Sequence, residues 1–425
     1  MFKNFLGNLA IDNVEQISLR YGEITACLNK EFRNTESKTD NSLQVGSYGR
    51  WTAIKGISDL DMLYIMPKSK WDDYKNGKQS ELLTDTKNAI KARYPSTEVK
   101  IDRLVVQVLY TNFQVEVQPV FEQDDGSFKY PDTYNEGSWK ITKPRDEITA
   151  MKEFVDQKNN NLRRLCKMAR AWKNKNGLCM GGLLIDTLAY NFLKSTDKYD
   201  NKSYVYYDLM SRDFFKYLSD QPNQDYYAAL GSGQRVKVNK KFQKKAKKAY
   251  QLCLKAIEAG EKNSAHKKWK NIYGRPFPAK PESTEDALAS KTLRGFGNTE
   301  QFIEDMYPVD IKYDIRLECE VSQSGYRENF LTQMLINRIP LLPNKKLLFS
   351  IAHINVPEPY TVEWKVLNRG HEAEKRKCIR GQIFNDGGYH QRNESTSFKG
   401  EHIVECFVIK NGVVVAKDRI DVPIQ

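Results

Sequence analysis

Two short runs near the N-terminus, Val45-Gly46-Ser47-Tyr48-Gly49-Arg50 and Ser58-Asp59-Leu60-Asp61-Met62-Leu63, stand seven residues apart. Leu60 to Met66 is an apolar run closed by Pro67, the pattern of a buried strand. On a strand, side chains at i and i+2 share a face, so Asp59 and Asp61 can turn both carboxylates toward one metal cluster. The glycine of the Gly46-Ser47 turn lets backbone approach a phosphate closely, and N–H groups exposed there form an anion-binding nest. The Ser47 hydroxyl can donate to a terminal phosphate oxygen.

A third acid follows. Phe113 to Phe121 alternates Val115 and Val117 against Glu116 and Gln118, which puts Glu116 on the outward face of a separate strand where pairing could complete the cluster. Three clustered carboxylates repel one another unless cations occupy the site. Magnesium suits such oxygen donors and keeps substrate phosphates in its shell, and two ions would activate a hydroxyl and stabilise leaving pyrophosphate. No histidine precedes residue 266 to act as a general base, which favours metal chemistry. Either D-x-D or Gly-Ser alone is a common accident. Together, with eleven residues between them and an acid on a later strand, they are specific. Asp59, Asp61 and Glu116 are therefore the expected catalytic and metal-binding residues. Gly46, Ser47, Lys167, Arg170 and Lys173 are the expected nucleotide-binding residues, with Lys55 a further phosphate partner; for Lys167, Arg170 and Lys173, plain surface exposure stays open.

The spaced apolar positions Leu9, Val14, Ile17, Tyr21, Ile24, Leu28 and Phe32 predict one amphipathic helix over 8–36, and 81–94 also reads as helix. From about 146 to 275 the pattern is mostly helical, interrupted at Gly231-Ser232-Gly233. A basic helix follows over 240–260, either a solvated face or a contact for nucleic acid. Beyond Pro276, Pro278 and Pro281 the texture becomes short β-rich runs, with turns at Asn385-Asp386-Gly387-Gly388 and Lys410-Asn411-Gly412. The expected organisation is α+β: a catalytic lobe over about 40–145, a helical lobe over about 146–280, a linker over 281–302 and an all-β, sandwich-like domain over 303–425.

The length of 425 residues suits two domains, and 40% hydrophobic residues suffice for real cores. A net charge of +13 points to polyanionic partners such as nucleotides or nucleic acid. The seven cysteines form no CxxC pair, and the five histidines do not join them at zinc-ligand spacing, a pattern of reduced thiols. Nothing near Met1 reads as a signal peptide and no run is long enough to span a bilayer, so a soluble, cytoplasmic protein without a membrane partner is expected.

These motifs resemble the polymerase-β-like nucleotidyltransferase superfamily and, within it, the bacterial cGAS/DncV-like group (CD-NTases, SMODS domains). Val115-Glu116-Val117-Gln118-Pro119 is similar to that group's third-acid strand, with Glu for the commoner Asp. Arg170-Ala171-Trp172-Lys173 resembles its spine-helix element, and Trp269-Lys270-Asn271-Ile272-Tyr273-Gly274-Arg275-Pro276-Phe277-Pro278 its closing segment. The tail resembles the AGS-C domain, a proposed nucleotide sensor, at Val362-Glu363-Trp364-Lys365-Val366-Leu367-Asn368-Arg369-Gly370, Ile379-Arg380-Gly381 and Gly400-Glu401-His402. For Trp364, Arg380 and His402, core packing and turn stabilisation compete with a ligand role. The resemblance implies a polymerase-β-like lobe holding two Mg²⁺ ions, with Mn²⁺ able to substitute. It also implies NTP substrates, ATP among them, and a cyclic di- or trinucleotide product that switches on an effector in antiphage defence (CBASS). Linear oligonucleotides, nucleotidylation of another acceptor, and a non-catalytic nucleotide sensor remain alternatives. Tyr48, Tyr204, Tyr206 and Tyr207 could stack on bases, though with 23 tyrosines a core or surface place is as natural.

Overall fold

Where the spacing predicts one helix over 8–36, the chain forms α2 (Val14–Arg33), which starts later than expected and is preceded by a separate short helix, α1 (Phe2–Asn8). The polar pair Asp12-Asn13 interrupts them, with Asn13 at the N-cap of α2. Asn34, at φ 53°, closes α2 in the left-handed region that asparagine tolerates. The computed structural model describes residues 1–56, 59–111, 113–260, 262–279, 300–323, 326–368, 371–376 and 378–425. The expected linker therefore lies outside the described residues up to 299, as do Ser58, Arg369 and Gly370 of the quoted motifs. Two compact units result: Met1–Lys175 with Met180–Ala279, and Asn176–Cys179 with Lys280–Gln425.

In the first unit, α2 is followed by β1 (Ser42–Gln44), the one-turn α3 (Gly46–Gly49), β2 (Asp59–Ile65), α4 (Trp71–Tyr74) and α5 (Gln79–Arg93). The strands β3 (Glu98–Asp102), β4 (Val105–Leu109), β5 (Gln114–Glu122), β6 (Phe128–Asp132) and β7 (Ser138–Thr142) complete a sheet of order β1-β2-β5-β4-β3, with β6 joining β5 to β7. β2 and β5 run parallel, and the other pairs are antiparallel. Alternation builds the core: Leu60, Met62 and Tyr64 of β2 and Val115 and Val117 of β5 pack with Ile24 and Leu28 of α2 and Leu82, Leu83 and Ile90 of α5. The acids between those residues face the other way.

The helices α6 (Pro144–Gln157), α7 (Asn161–Lys175), α8 (Gly182–Lys194) and α9 (Tyr207–Asp220) follow. Then come a hairpin of β8 (Tyr226–Ala228) and β9 (Arg235–Lys237), and the helices α10 (Gln243–Glu258) and α11 (Asn263–Tyr273). The expected break at Gly231-Ser232-Gly233 is the connection of that hairpin. Phe2 and Phe5 of α1 reach Trp269 and Tyr273 of α11, with ring centroids 5.1 and 4.8 Å apart, so the first and last elements of the unit share one aromatic cluster.

The second unit is two antiparallel sheets. β10 (Ile315–Gln323), β11 (Tyr326–Phe330), β12 (Lys346–Ile354) and β15 (Gln391–Ser395) make the order β11-β10-β12-β15. β13 (Thr361–Leu367), β14 (Arg380–Asn385), β16 (Gly400–Lys410) and β17 (Val413–Ile424) make β14-β13-β16-β17. Their inner faces share a core that includes Val321, Phe349, Trp364, Val404 and Val415. The expected turn at Asn411-Gly412 has positive φ at both residues, 51° and 74°, the hairpin geometry that joins β16 to β17. Glu300 and Gln301, at the end of the expected linker, are tied to the second sheet. Lys365 Nζ meets Glu300 Oε1 at 2.8 Å, and the Gln301 N–H donates to the Gly381 carbonyl at 2.9 Å. The expected α+β class with a β-sandwich tail holds. All seven cysteines are free.

Candidate active site

The register of β2 on β5 sets Asp61 beside Glu116 and Asp59 beside Gln114. Asp59, Asp61 and Glu116 are half-buried, and each offers a carboxylate oxygen within 4.8 Å of the others. Charges at that spacing repel by roughly 3–4 kcal/mol per pair at an effective dielectric of 20, which suits the trio to a cation. Two amides converge on Glu116 Oε1, Gln114 Nε2 at 2.8 Å and Gln107 Nε2 at 3.3 Å. Sequence reasoning missed both. The signal was there: Gln114 lies two residues before Glu116 on the same face, and Gln107 is its antiparallel partner on β4.

Gly46 closes the site from the turn. Its φ is +63°, and a Cβ there would lie 1.7 Å from Asp61 Oδ2, so only glycine leaves room for the carboxylate. The Val45 N–H donates to the Asp61 carbonyl at 3.0 Å, hooking the turn onto β2 at the acid itself. Thr52 and Ala53 N–H both donate to the Ser47 carbonyl, at 2.8 and 3.1 Å. Ser47 is partly exposed, and among the described residues its hydroxyl has no hydrogen-bond partner. This donor set, hard oxygens on a rigid strand pair beside a hydroxyl-bearing turn, fits a divalent cation carrying phosphate ligands.

Behind the turn lies a buried ion cluster. Asp186 of α8, fully buried, accepts from Arg50 Nε at 2.9 Å and from Arg170 at 2.5 and 2.9 Å. Arg50 also meets Glu147 of α6 at 3.2 Å, and Ser232 donates to Glu147 from the β8–β9 connection at 3.2 Å. Burial pulls the Asp186 carboxyl upward, but Arg170 and Arg50 together hold it below the ordinary range. Burial wins at Glu147 and raises it.

Several basic residues are placed differently from expectation. Arg170 is only 6% exposed and its guanidinium is engaged with Asp186, because α7 and α8 pack too closely there to leave it facing solvent. Lys173 is buried, and Lys55 makes an exposed ion pair with Asp12 at 2.8 Å. Lys167 is half-buried, and burial, Arg163 and Arg170 all lower its pKa. Arg163, not anticipated, lies 4.5 Å over the ring of Trp51, just past the turn. Tyr207 is buried with its hydroxyl on Asn161 at 2.6 Å, which removes it from base stacking; Tyr204 and Tyr206 are exposed.

Residues 1–154 match the model of the Second Messenger Oligonucleotide or Dinucleotide Synthetase (SMODS) domain. Residues 297–425 match that of the Adenylyl/Guanylyl and SMODS C-terminal sensor domain (AGS_C). No curated protein matches the chain. Among solved structures, the chain is similar to CdnC of E. coli MS115-1 in complex with HORMA-deltaN at 13% identity and TM-score 0.49, covering 64% of this chain and 95% of that one. It is similar to the Vibrio cholerae di-nucleotide cyclase DncV at 11% and 0.48, covering 56% and 70%. It is also similar to Elizabethkingia meningoseptica CdnE cyclic dinucleotide synthase with GTP and Apcpp, at 17% and 0.43, covering 60% and 97%. By these two matched models, residues 1–154 are a SMODS nucleotidyltransferase domain and residues 297–425 an AGS_C sensor domain.

Proposed function

We propose that this enzyme condenses NTPs, ATP among them, into a cyclic di- or trinucleotide whose release switches on an effector in antiphage defence. The convergence of Asp59, Asp61 and Glu116 beside the Gly46-Ser47 turn carries this reading. The three acids would hold two Mg²⁺ ions, or Mn²⁺ in their place. Such ions neutralise the triphosphate, ease deprotonation of the attacking hydroxyl and stabilise the departing pyrophosphate.

The chain's own residues do the rest. Gly46 and Ser47 bind the donor's terminal phosphates, and Lys167 adds positive charge from α7. Gln107 and Gln114 fix the plane of Glu116, so the acceptor's 3′ or 2′ oxygen meets the α-phosphorus in line. That P–O bond forms as the bond to pyrophosphate breaks, and the hydroxyl proton passes to the carboxylate trio. A second round on the linear intermediate closes the ring. The exposed Lys244, Lys247 and Lys248 of α10 offer a surface for a nucleotide or nucleic-acid ligand, and the AGS_C domain a second place for a nucleotide. Among the described residues no helix is long and apolar enough to cross a membrane, and a cytoplasmic site of action is part of the proposal.

The test is incubation with all four NTPs and Mg²⁺ or Mn²⁺, wild type beside Asp59→Asn/Asp61→Asn, with products read by mass spectrometry before and after phosphatase and nuclease treatment. A phosphatase-resistant ring made only by the wild type supports the proposal. A phosphatase-sensitive linear product overturns cyclisation. Nucleotide binding without turnover would make the chain a sensor.

A further inference from the structure

We propose that Asp186, through Arg50 and Thr52, is a positioning residue that holds the Ser47 turn in its phosphate-binding geometry; this rests on the active-site reading above. Asp186 Oδ2 receives Arg50 Nε at 2.9 Å and lies 3.1 Å from Thr52 Oγ1, so one carboxylate oxygen of α8 grips the turn at both ends of the segment that follows Gly49. Thr52 in turn reaches Ser47. Its N–H donates to the Ser47 carbonyl at 2.8 Å, and its hydroxyl lies 3.4 Å from the same oxygen. Ser47 is thus two contacts away from a fully buried aspartate on another element.

A buried ion cluster is a poor way to gain stability, because apolar residues of similar volume often serve as well or better. What four charges do provide is direction. Arg50 and Arg170 balance Asp186 and Glu147, all four nearly inaccessible, and their fork-shaped hydrogen bonds allow little rotation of the turn. The cluster joins α6, α7 and α8 to the strand-bound turn, so helices that touch no reacting atom set where the Ser47 hydroxyl stands. A misplacement near 1 Å is enough to cost about 100-fold in rate.

Steady-state kinetics of the full chain in a double-mutant cycle provide the test. Asp186→Asn and Thr52→Val are each combined with Ser47→Ala, with Thr52→Ser as the conservative control and circular dichroism reporting folding. Thr52→Val keeps volume and leaves the ion cluster intact, so it reads the proposal even where Asp186→Asn does not fold. The expected result is a fall of about tenfold in kcat/KM for NTP in Thr52→Val, recovered by Thr52→Ser, and an Ser47→Ala loss that shrinks to about twofold or less in either positioning background. An Ser47→Ala loss of the same factor in every background, or Thr52→Val with unchanged kcat/KM, overturns it. An inactive wild type sinks the active-site reading and this proposal with it, whereas an active wild type with additive losses sinks only the proposal.

Discussion

Asp61 and Glu116 lie directly opposite each other on neighbouring parallel strands, although 54 residues separate them in the chain. Their pairing brings the third acid to the first two, and the shared Oε1 contact with Gln107 and Gln114 leaves Glu116 little freedom. Glu116→Gln should therefore abolish turnover by on the order of a thousandfold in kcat, since it removes a charge the transition state needs. Glu116→Asp keeps the charge but withdraws it by one methylene from both amides and should retain partial activity. EDTA should stop the wild-type reaction and added Mg²⁺ or Mn²⁺ restore it. Initial rates of pyrophosphate release measure all three, and activity in Glu116→Gln near wild type would remove this residue from the site.

The approach of Gly46 to Asp61 gives a second expectation. A methyl group at 46 meets the carboxylate and a backbone at φ +63° that L-residues rarely adopt. Gly46→Ala should cost about 1 kcal/mol or more in stability by its φ alone, and on the order of 100-fold in kcat/KM because Asp61 must swing away. Thermal unfolding and steady-state kinetics run side by side separate the two losses. A fully active Gly46→Ala would mean that the carboxylate has another productive position.

How far this site was legible follows from those two residues. The D-x-D spacing and the alternation around Glu116 are local patterns, and local patterns survive into the fold because strand period alone sets which side chains share a face. The turn's glycine was legible as permissive backbone but not as a contact, since the closeness of Asp61 depends on how the turn hooks back on β2. Arg170 was misjudged for the same reason. Its helix shows a basic residue at a useful spacing, but the Asp186 that engages it lies on another helix, and helix-to-helix register is written in no short stretch. The helix predicted over 8–36 is present as α2, but it starts only at Val14, because the apolar spacing runs on through Asp12-Asn13 while the helical backbone does not. The Phe2 and Phe5 contacts with α11 join the two ends of the first unit, beyond any periodicity argument.

Lys167 supplies a pH expectation. Burial and the neighbouring Arg163 and Arg170 push its pKa below that of an ordinary lysine, so it loses its charge earlier as pH rises. In its proposed role the charged form attracts triphosphate, so kcat/KM for NTP, which reports the free enzyme, should hold at neutral pH and fall on the alkaline side before a normal lysine titrates. Lys167→Arg keeps its charge throughout and should move that fall to higher pH; Lys167→Met should lower kcat/KM at neutral pH and flatten this limb. A pH–rate series from neutral to alkaline with the three proteins checks the sign, and identical profiles would place Lys167 outside the nucleotide site.

In the sensor domain Trp364 separates a packing role from a ligand role. Its ring is buried in the sandwich core, and its Nε1–H donates to Asp386 at 2.8 Å. Asp386 also accepts the N–H groups of Gly388 and His390, so the tryptophan pins the turn between β14 and β15. A ring held this way has neither a free face nor a free donor for a nucleobase. Trp364→Ala should cost about 3–5 kcal/mol in stability, the range for an emptied aromatic site. Trp364→Phe should cost less but leave Asp386 short of a donor. Chemical denaturation of the full chain, followed by circular dichroism, gives both values, with nucleotide binding measured on Trp364→Phe under native conditions. A variant as stable as wild type that no longer binds nucleotide would reverse the assignment, because a core residue cannot be lost from the fold without a trace in its unfolding.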